Sequence, residues 1–318
     1  MSETIVVLDP LTEATAVKLR GLLPPGFVLT HGSARDEAHL QAIIADADYA
    51  ITGQIGVSGA VLAAGKRLKL LHKWGVGVDN IDLDAARRLG VTVARTTGSN
   101  AVPVAELTIA LMIAALRDFP RAAAELDQGR WVGGNYARPS FLLSGKTVGI
   151  VGFGAIGQMV ARLLTGFGCT LLYTAPRPKD TTTGARHVPL PELLALSDVV
   201  SLHCPLTPET AGIIDRIALS AMKPSAVLVN VARGGVVVEP DLVWALQNQV
   251  IHAAAMDVFE IEPLPADSPL IGLPGLTITP HMAASSAETF DSAVKQMFSN
   301  IQAVGAGGAV PARDLVVG

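Results

Sequence analysis

Along the first hundred residues, short runs of β-branched and aliphatic side chains alternate with stretches whose apolar positions recur at helical spacing. Ile5-Val6-Val7-Leu8, Phe27 to Thr30, Tyr49-Ala50-Ile51, Leu68 to His72 and Val91-Thr92-Val93 read as strands. Thr12 to Leu22, Asp36 to Ala45 and Leu83 to Leu89 read as the helices between them. A longer helix covers Val102 to Leu116, with Asn100 as its N-cap and Pro103 tolerated in the first turn. The pattern then becomes irregular through Trp131, Gly133-Gly134 and Pro139.

A second alternating series begins at Lys146. Its strands are Thr147 to Val151, Thr170 to Tyr173, Val199 to His203, Val227 to Val231, Ala253 to Asp257 and Thr277-Ile278. The last helical pattern, Ala284 to Val304, is too long to belong only to the strand before it, and is expected to cross back onto the first domain. Alternation this regular implies parallel pairing. The expected fold is α/β with two doubly wound parallel sheets. A Rossmann domain (residues 100–284) is inserted into a flavodoxin-like domain (residues 1–99 and 285–318), with a cleft between them. Gly305-Ala306-Gly307-Gly308 reads as a turn.

Composition narrows the function classes. Half of the 318 residues are hydrophobic and 16% are charged, which is material for a large core and favours two domains. A net charge of −4 and a pI near 6.0 offer no basic face to nucleic acid or an anionic membrane. Cys169 and Cys204 are far apart, lack metal-ligand spacing, and read as buried structural thiols of a reducing compartment. No metal site is expected. Met1-Ser2-Glu3-Thr4 lacks the basic start and apolar run of a signal peptide, and the Val102 to Leu116 helix is too short to span a bilayer. These features suggest a cytoplasmic protein.

Candidate chemistry starts at Gly152-Phe153-Gly154-Ala155-Ile156-Gly157, which follows a strand and opens a helix. In that setting the spacing reads as a dinucleotide fingerprint. Gly152 permits the tight turn, Gly154 lets backbone approach a pyrophosphate, and Gly157 lets the helix pack on the strand. The helix N-terminal amides at Ala155 and Ile156 would then bind the diphosphate. An NAD site carries an acid at the end of the next strand. Here that stretch is Tyr173-Thr174-Ala175-Pro176-Arg177, without a carboxylate. Thr174 and Arg177, with Lys179 as a further candidate, suit a 2′-phosphate, so NADP(H) is the expected preference with NAD(H) also possible.

Three later segments place polar residues just past predicted strands, where open α/β sheets bind ligands. They are Asn230-Val231-Ala232-Arg233-Gly234-Gly235, Met256-Asp257-Val258-Phe259-Glu260-Ile261-Glu262-Pro263 and Thr279-Pro280-His281-Met282-Ala283. Arg233 can pair its planar fork with a carboxylate or bridge it to a carbonyl oxygen, and two following glycines leave room for a ligand. His281 is the natural acid–base group, because an imidazole changes charge near working pH, and Glu262 can orient its ring and favour the protonated form.

With the glycine motif and Lys73-Trp74-Gly75-Val76-Gly77-Val78-Asp79-Asn80-Ile81-Asp82 in order, the chain resembles the D-isomer-specific 2-hydroxyacid dehydrogenase family over essentially its whole length. The resemblance implies hydride transfer between a nicotinamide cofactor and a small 2-oxo or 2-hydroxy acid. Arg233, Glu262 and His281 would be the catalytic residues. It gives Asp257 the nicotinamide carboxamide and the Val76 and Gly77 amides the substrate carboxylate. Cys204, Pro205, Thr210 and Val231 would line the cofactor cleft, with His203 nearby and Glu106 structural. It also implies a symmetric dimer through Phe119 to Leu143.

Trp74 either narrows the substrate pocket or packs on the domain wall, and Gln54-Ile55 lies in a second loop expected to face the cleft. A narrowed pocket would favour glyoxylate or hydroxypyruvate. A related dehydrogenase of formate or phosphite, and a cofactor-sensing corepressor that binds peptides, remain the alternatives.

Overall fold

The computed structural model describes residues 2–98, 100–131 and 138–318. Within it the chain divides into two compact units, Met1–Asn100 with Ser286–Gly318, and Ala101–Ser285. In the first unit β1 (Glu3–Val7), β2 (Phe27–His31), β3 (Tyr49–Thr52), β4 (Leu70–Lys73) and β5 (Thr92–Arg95) run parallel in the order β2-β1-β3-β4-β5. This is flavodoxin-like order. The last strand, β13 (Leu315–Val317), adds antiparallel to β5, so this edge departs from the all-parallel expectation.

Helices α1 (Glu13–Leu22), α2 (Glu37–Ile44), α3 (Gly59–Ala64), α4 (Leu83–Leu89) and α11 (Ala287–Gly305) belong to this unit. Each is opened by a polar cap, Thr12, Asp36, Ser58, Asp82 and Ser286, whose side chain accepts a first-turn amide. The strands bury both faces. Ile5 and Val7 join Leu19 and the α11 residues Val294, Met297, Phe298 and Ile301. Val6 and Leu8 join Leu40, Ile44, Val61, Leu62, Ala85 and Ala86 on the other side. Alternate residues of one strand thus feed two cores, as a helix-covered parallel sheet requires.

A polar thread runs through this unit. His72 donates through Nδ1 to the Lys73 carbonyl (3.0 Å) and accepts the Asn300 amide at Nε2 (3.0 Å). Asn300 and Gln296 donate to the fully buried Asp314 at 3.2 and 2.8 Å, and Thr97 donates to it as well. Burial pushes the His72 ring down to about 4, leaving it neutral.

The second unit holds β6 (Thr147–Val151), β7 (Thr170–Thr174), β8 (Arg186–His187), β9 (Val199–Leu202), β10 (Val227–Asn230), β11 (Ala253–Met256) and β12 (Leu276–Ile278). All are parallel, in the order β12-β11-β10-β9-β6-β7-β8. Six of them follow the Rossmann order, and β12 extends the sheet. Its helices are α5 (Ala101–Arg117), α6 (Phe119–Asp127), α7 (Ala155–Leu164), α8 (Leu190–Leu196), α9 (Arg216–Ser220) and α10 (Glu239–Gln247).

Part of the stretch expected to be irregular is therefore helical. Pro120 masked the pattern, although proline fits the first turn of a helix, where α6 carries it. The Gly133-Gly134 pair lies outside the described residues. Cys169 is only partly buried, whereas Cys204 is buried. Among the described residues no helix is long and apolar enough to cross a membrane.

Candidate active site

The second sheet reverses its order between β6 and β9, and the turn after β6 sits at that point. Gly152 donates to the Thr174 carbonyl (2.9 Å), while His203 donates to Val151 (2.7 Å). Gly152 has φ +92, and a Cβ there would lie 2.5 Å from the Cys204 backbone nitrogen. Only glycine meets both demands. Gly154, the N-cap of α7, faces the opposite situation, because nothing lies within 4 Å of where its Cβ would be. No side chain caps this helix, so the first-turn amides of Ala155 and Ile156 are offered to that open space. The cradle fits a dinucleotide diphosphate.

Past β7 the loop is fixed from inside the unit. Tyr173 stacks on Phe153 with ring centroids 4.0 Å apart, and its hydroxyl accepts the Lys179 amide (2.8 Å) and donates to the Lys179 carbonyl (3.0 Å). His187 Nε2 lies 3.0 Å from the Ala175 carbonyl. Thr174 is half-buried at the strand end, while Arg177 and Lys179 are exposed. Across the crevice, burial pushes the Cys204 thiol up to about 11 and the His203 ring down to about 3, so both are neutral. The Thr210 hydroxyl donates to Pro205 (2.6 Å) and accepts the Thr207 amide (2.8 Å), shaping its own turn. Val231 is buried in the core.

The remaining site residues lie on three segments that follow β10, β11 and β12. Asn230 ends β10 fully buried, with Nδ2 donating to the Arg233 carbonyl (2.9 Å) and Oδ1 accepting the Ala232 amide (3.0 Å). This fixes the turn that presents Arg233, whose Nη1 donates to the Ala232 carbonyl (2.7 Å). Gly234 lies so close under the next loop that a Cβ would fall 1.9 Å from the Phe259 carbonyl carbon. The Arg233 turn and the loop leading to Glu262 are thereby packed backbone to backbone.

Glu262 Oε1 accepts the Phe259 amide (2.9 Å), and Oε2 accepts His281 Nδ1–H at 2.6 Å. That bond leaves Nε2 as the ring's working nitrogen. Burial works to raise the Glu262 carboxyl, but the His281 and Phe259 hydrogen bonds and the charges of His281 and Arg233 hold it below the usual carboxylate range. His281 itself has φ +49, a backbone held by Asp257. The fully buried Asp257 carboxylate accepts the Thr279 hydroxyl (2.6 Å) and the Met282 and Ala283 amides (2.9 Å each). Sequence reasoning assigned Asn230 no role and missed the loop-holding duty of Asp257. An amide or carboxylate ending a strand before a functional loop is the one signal that pointed to them.

In the first unit, Val76 and Gly77 are half-buried beyond β4. Trp74 packs on Phe290 of α11, centroids 5.5 Å apart, against the wall of its own unit. Gln54 and Ile55 donate their amides to Asp9 at 2.9 and 3.2 Å.

A family model described as "D-isomer specific 2-hydroxyacid dehydrogenase, NAD binding domain" matches residues 109–283. The D-3-phosphoglycerate dehydrogenase of Mycobacterium tuberculosis is 38% identical over 312 residues, covering 96% of this chain but only 58% of the relative. The chain thus spans well under two thirds of that relative's length. The hydroxypyruvate reductase of Thermotoga maritima is 38% identical over 80% of this chain and 83% of its own. Among solved structures, an NADPH-dependent glyoxylate/hydroxypyruvate reductase of Sinorhizobium meliloti, in complex with NADP and malonate, superimposes with a TM-score of 0.86. It is 30% identical and covers 99% of this chain and 97% of its own.

Proposed function

The chain belongs to the D-isomer-specific 2-hydroxyacid dehydrogenase family, and from that premise we propose that it interconverts a small 2-oxo acid and its D-2-hydroxy acid, preferring NADP(H), with glyoxylate or hydroxypyruvate as the acid. The observation that carries this reading is the 2.6 Å Glu262–His281 bond on a loop packed against the Arg233 turn. When bound, the nicotinamide supplies or accepts the hydride. Arg233 pairs with the substrate carboxylate and draws electron density onto the carbonyl oxygen. His281 Nε2 gives its proton to that oxygen during reduction and takes the hydroxyl proton during oxidation. Glu262 stabilises the imidazolium between those events.

Gly152, Gly154, Gly157 and the Ala155 and Ile156 amides would hold the diphosphate, and Thr174 and Arg177 the ribose phosphate. Cys204, Pro205, Thr210 and Val231 would flank the cofactor. Asp257 would be the carboxamide's partner, since its Oδ2 accepts only the Ala283 amide and keeps one acceptor position. Backbone amides at Val76 and Gly77 suit the substrate carboxylate. Oxidation of formate has no hydroxyl proton to remove, so the Glu262–His281 pair favours alcohol and carbonyl chemistry.

The phosphoglycerate dehydrogenase relatives favour a second reading, a phosphorylated acid. A phosphate dianion calls for charged donors. Residues 53–57 and 74–78 carry no cation, and Lys73 is only 7% exposed, with Nζ donating to the Gly53 carbonyl and to Asn80 (2.9 Å). A small unphosphorylated acid fits better. Exposed Phe119, Leu126, Trp131 and Leu142 support self-association.

The test is NADPH and NADH oxidation with glyoxylate, hydroxypyruvate and 3-phosphohydroxypyruvate. Higher kcat/KM with NADPH and an unphosphorylated acid is expected. Preference for NADH would discard the phosphate site but keep the reaction, and preference for the phosphorylated acid would replace the substrate. Tight cofactor binding without turnover on any of them would overturn the enzyme reading in favour of a sensor.

A further inference from the structure

The loop that carries Glu262 is held from behind by a third carboxylate. Glu239, the first residue of α10, accepts the Glu260 backbone N–H on Oε1 at 2.7 Å. Just beyond Glu260, Glu262 folds back onto the Phe259 amide and reaches His281 with its other oxygen. Beneath them Gly234 leaves no space between the Arg233 turn and residues 259–260. The start of α10, the Arg233 turn and the Glu262 loop are therefore one packed assembly.

Resting on the function proposed above, we propose that Glu239 is a positioning residue of the reaction. Its carboxylate pins the Glu262 loop, and its negative charge helps hold the proton on the Glu262–His281 pair. Glu239 is partly buried, and a charge there is poorly screened. Burial raises its carboxyl above the ordinary value, against the Glu260 N–H, with the Glu260 and Glu262 charges adding to the rise. The charged groups around the assembly are Glu260 and Glu262 on the loop, His281 on the next, and Arg233 on the preceding turn. On α10 itself Asp241 is engaged by Arg216, at 3.2 Å. Arg233 opposes the effect of Glu239 on the proton, so removing Glu239 tips the balance toward the neutral ring.

An acidic residue at a helix start also favours the helix dipole, a role that would concern stability alone. E239Q and E239A separate the two. The glutamine keeps an oxygen acceptor for the Glu260 amide and removes only the charge. Two readouts apply, the NMR titration of the His281 ring in the free enzyme and the pH profile of kcat/KM for reduction. E239Q is expected to lower the ring's titration midpoint relative to the wild type, moving the alkaline limb of the profile to lower pH by the same amount. E239A should show that shift and also lose about tenfold in kcat, because the loop is no longer pinned. H281A serves as the control for the underlying reading. If H281A turns over like the wild type, the proposed mechanism fails whatever Glu239 does. If H281A is inactive while E239Q titrates like the wild type, the Glu239 proposal alone fails.

Discussion

Each unit has a point where its strand order reverses, between β1 and β3 in the first and between β6 and β9 in the second. Doubly wound sheets hold ligands in the crevice past the strand ends at such a point. The first unit fills that crevice from within. Asp9, just beyond β1, accepts the amides of Gly53 (2.5 Å), Gln54 (2.9 Å) and Ile55 (3.2 Å), so a carboxylate of the chain occupies the place of an external anion. Thr52 and Asn80 then close the loop by donating to the Ile55 carbonyl at 2.8 and 2.7 Å. The second unit places glycines at the equivalent turn and leaves its helix N-terminus uncapped. One topology thus yields a self-satisfied loop platform in one case and an anion cradle in the other, and the difference lies in very few residues.

The sharpest way to break the comparison is Gly152→Ala. The substitution must adopt φ +92 and push a methyl into backbone 2.5 Å away, with no flexible side chain to yield. A stability loss of about 3 kcal/mol or more is expected from the strain and overpacking together. Denaturant unfolding and NADPH fluorescence titration would measure it, and near-wild-type values for both would show that the turn does not need its glycine.

Asp9→Ala attacks the other crevice. It strands three amides that now share a carboxylate, and about 2 kcal/mol of stability should go with it. Asp9→Asn should retain part of that. Cofactor affinity should not change in either variant, because the cradle lies wholly in the second unit. Wild-type stability in Asp9→Ala would mean that solvent serves those amides as well as the carboxylate does.

How much of this was legible in the sequence follows from the range over which each signal acts. Strand and helix alternation is local, so most elements fall within a residue or two of expectation. The alternation implied α8, α9 and α10 without bounds and α11 starts three residues later than expected, while the elements that escaped it are short or punctuated. The six residues of α3 expose too few polar positions to show a period, α6 carries Pro120, and β8 and β13 are edge strands of two and three residues. Gly152 to Gly157, Arg233, Glu262 and His281 stood out because their chemistry is tied to local spacing. Asp9, Asn230, Glu239 and Asp314 did not. A carboxylate that accepts amides 44 to 46 residues away leaves no pattern along the chain. Trp74 was open between two roles, and its contact with Phe290, 216 positions later by number, could only come from the fold.

Each unit also buries one neutral histidine, and acid should separate them from the carboxylates. The rings of His72 and His203 are held down to about 4 and about 3 by burial, against about 6.5 in the unfolded chain. A depressed value means that the stabilisation is complete above pH ~6.5 and is lost as pH falls toward the folded values. Stability should therefore decline between pH 6.5 and 4.5 by up to about 1.4 kcal/mol per pH unit for each ring. His203→Asn should flatten that decline more cleanly than His72→Asn, because His203 Nδ1 has no partner whereas both His72 nitrogens are bonded. Identical slopes in the wild type and in His203→Asn would show that the ring already takes up its proton in the folded state.

The smallest structural change asks the most of the comparison. Gly154→Ala adds a methyl where no protein atom lies within 4 Å, at an ordinary negative φ of −80. Alanine is a poorer N-cap than glycine, but it also removes conformational freedom from the unfolded chain, and the two effects nearly offset. Stability of the free protein should stay within about 0.5 kcal/mol of wild type. Cofactor affinity should nonetheless fall about tenfold, since the methyl stands where the diphosphate approaches the backbone. A silent substitution in the free protein that weakens binding is the signature of space kept open for a ligand. If NADPH binds Gly154→Ala as it binds the wild type, the diphosphate does not pass over Gly154, and the open crevice of the second unit loses its proposed purpose.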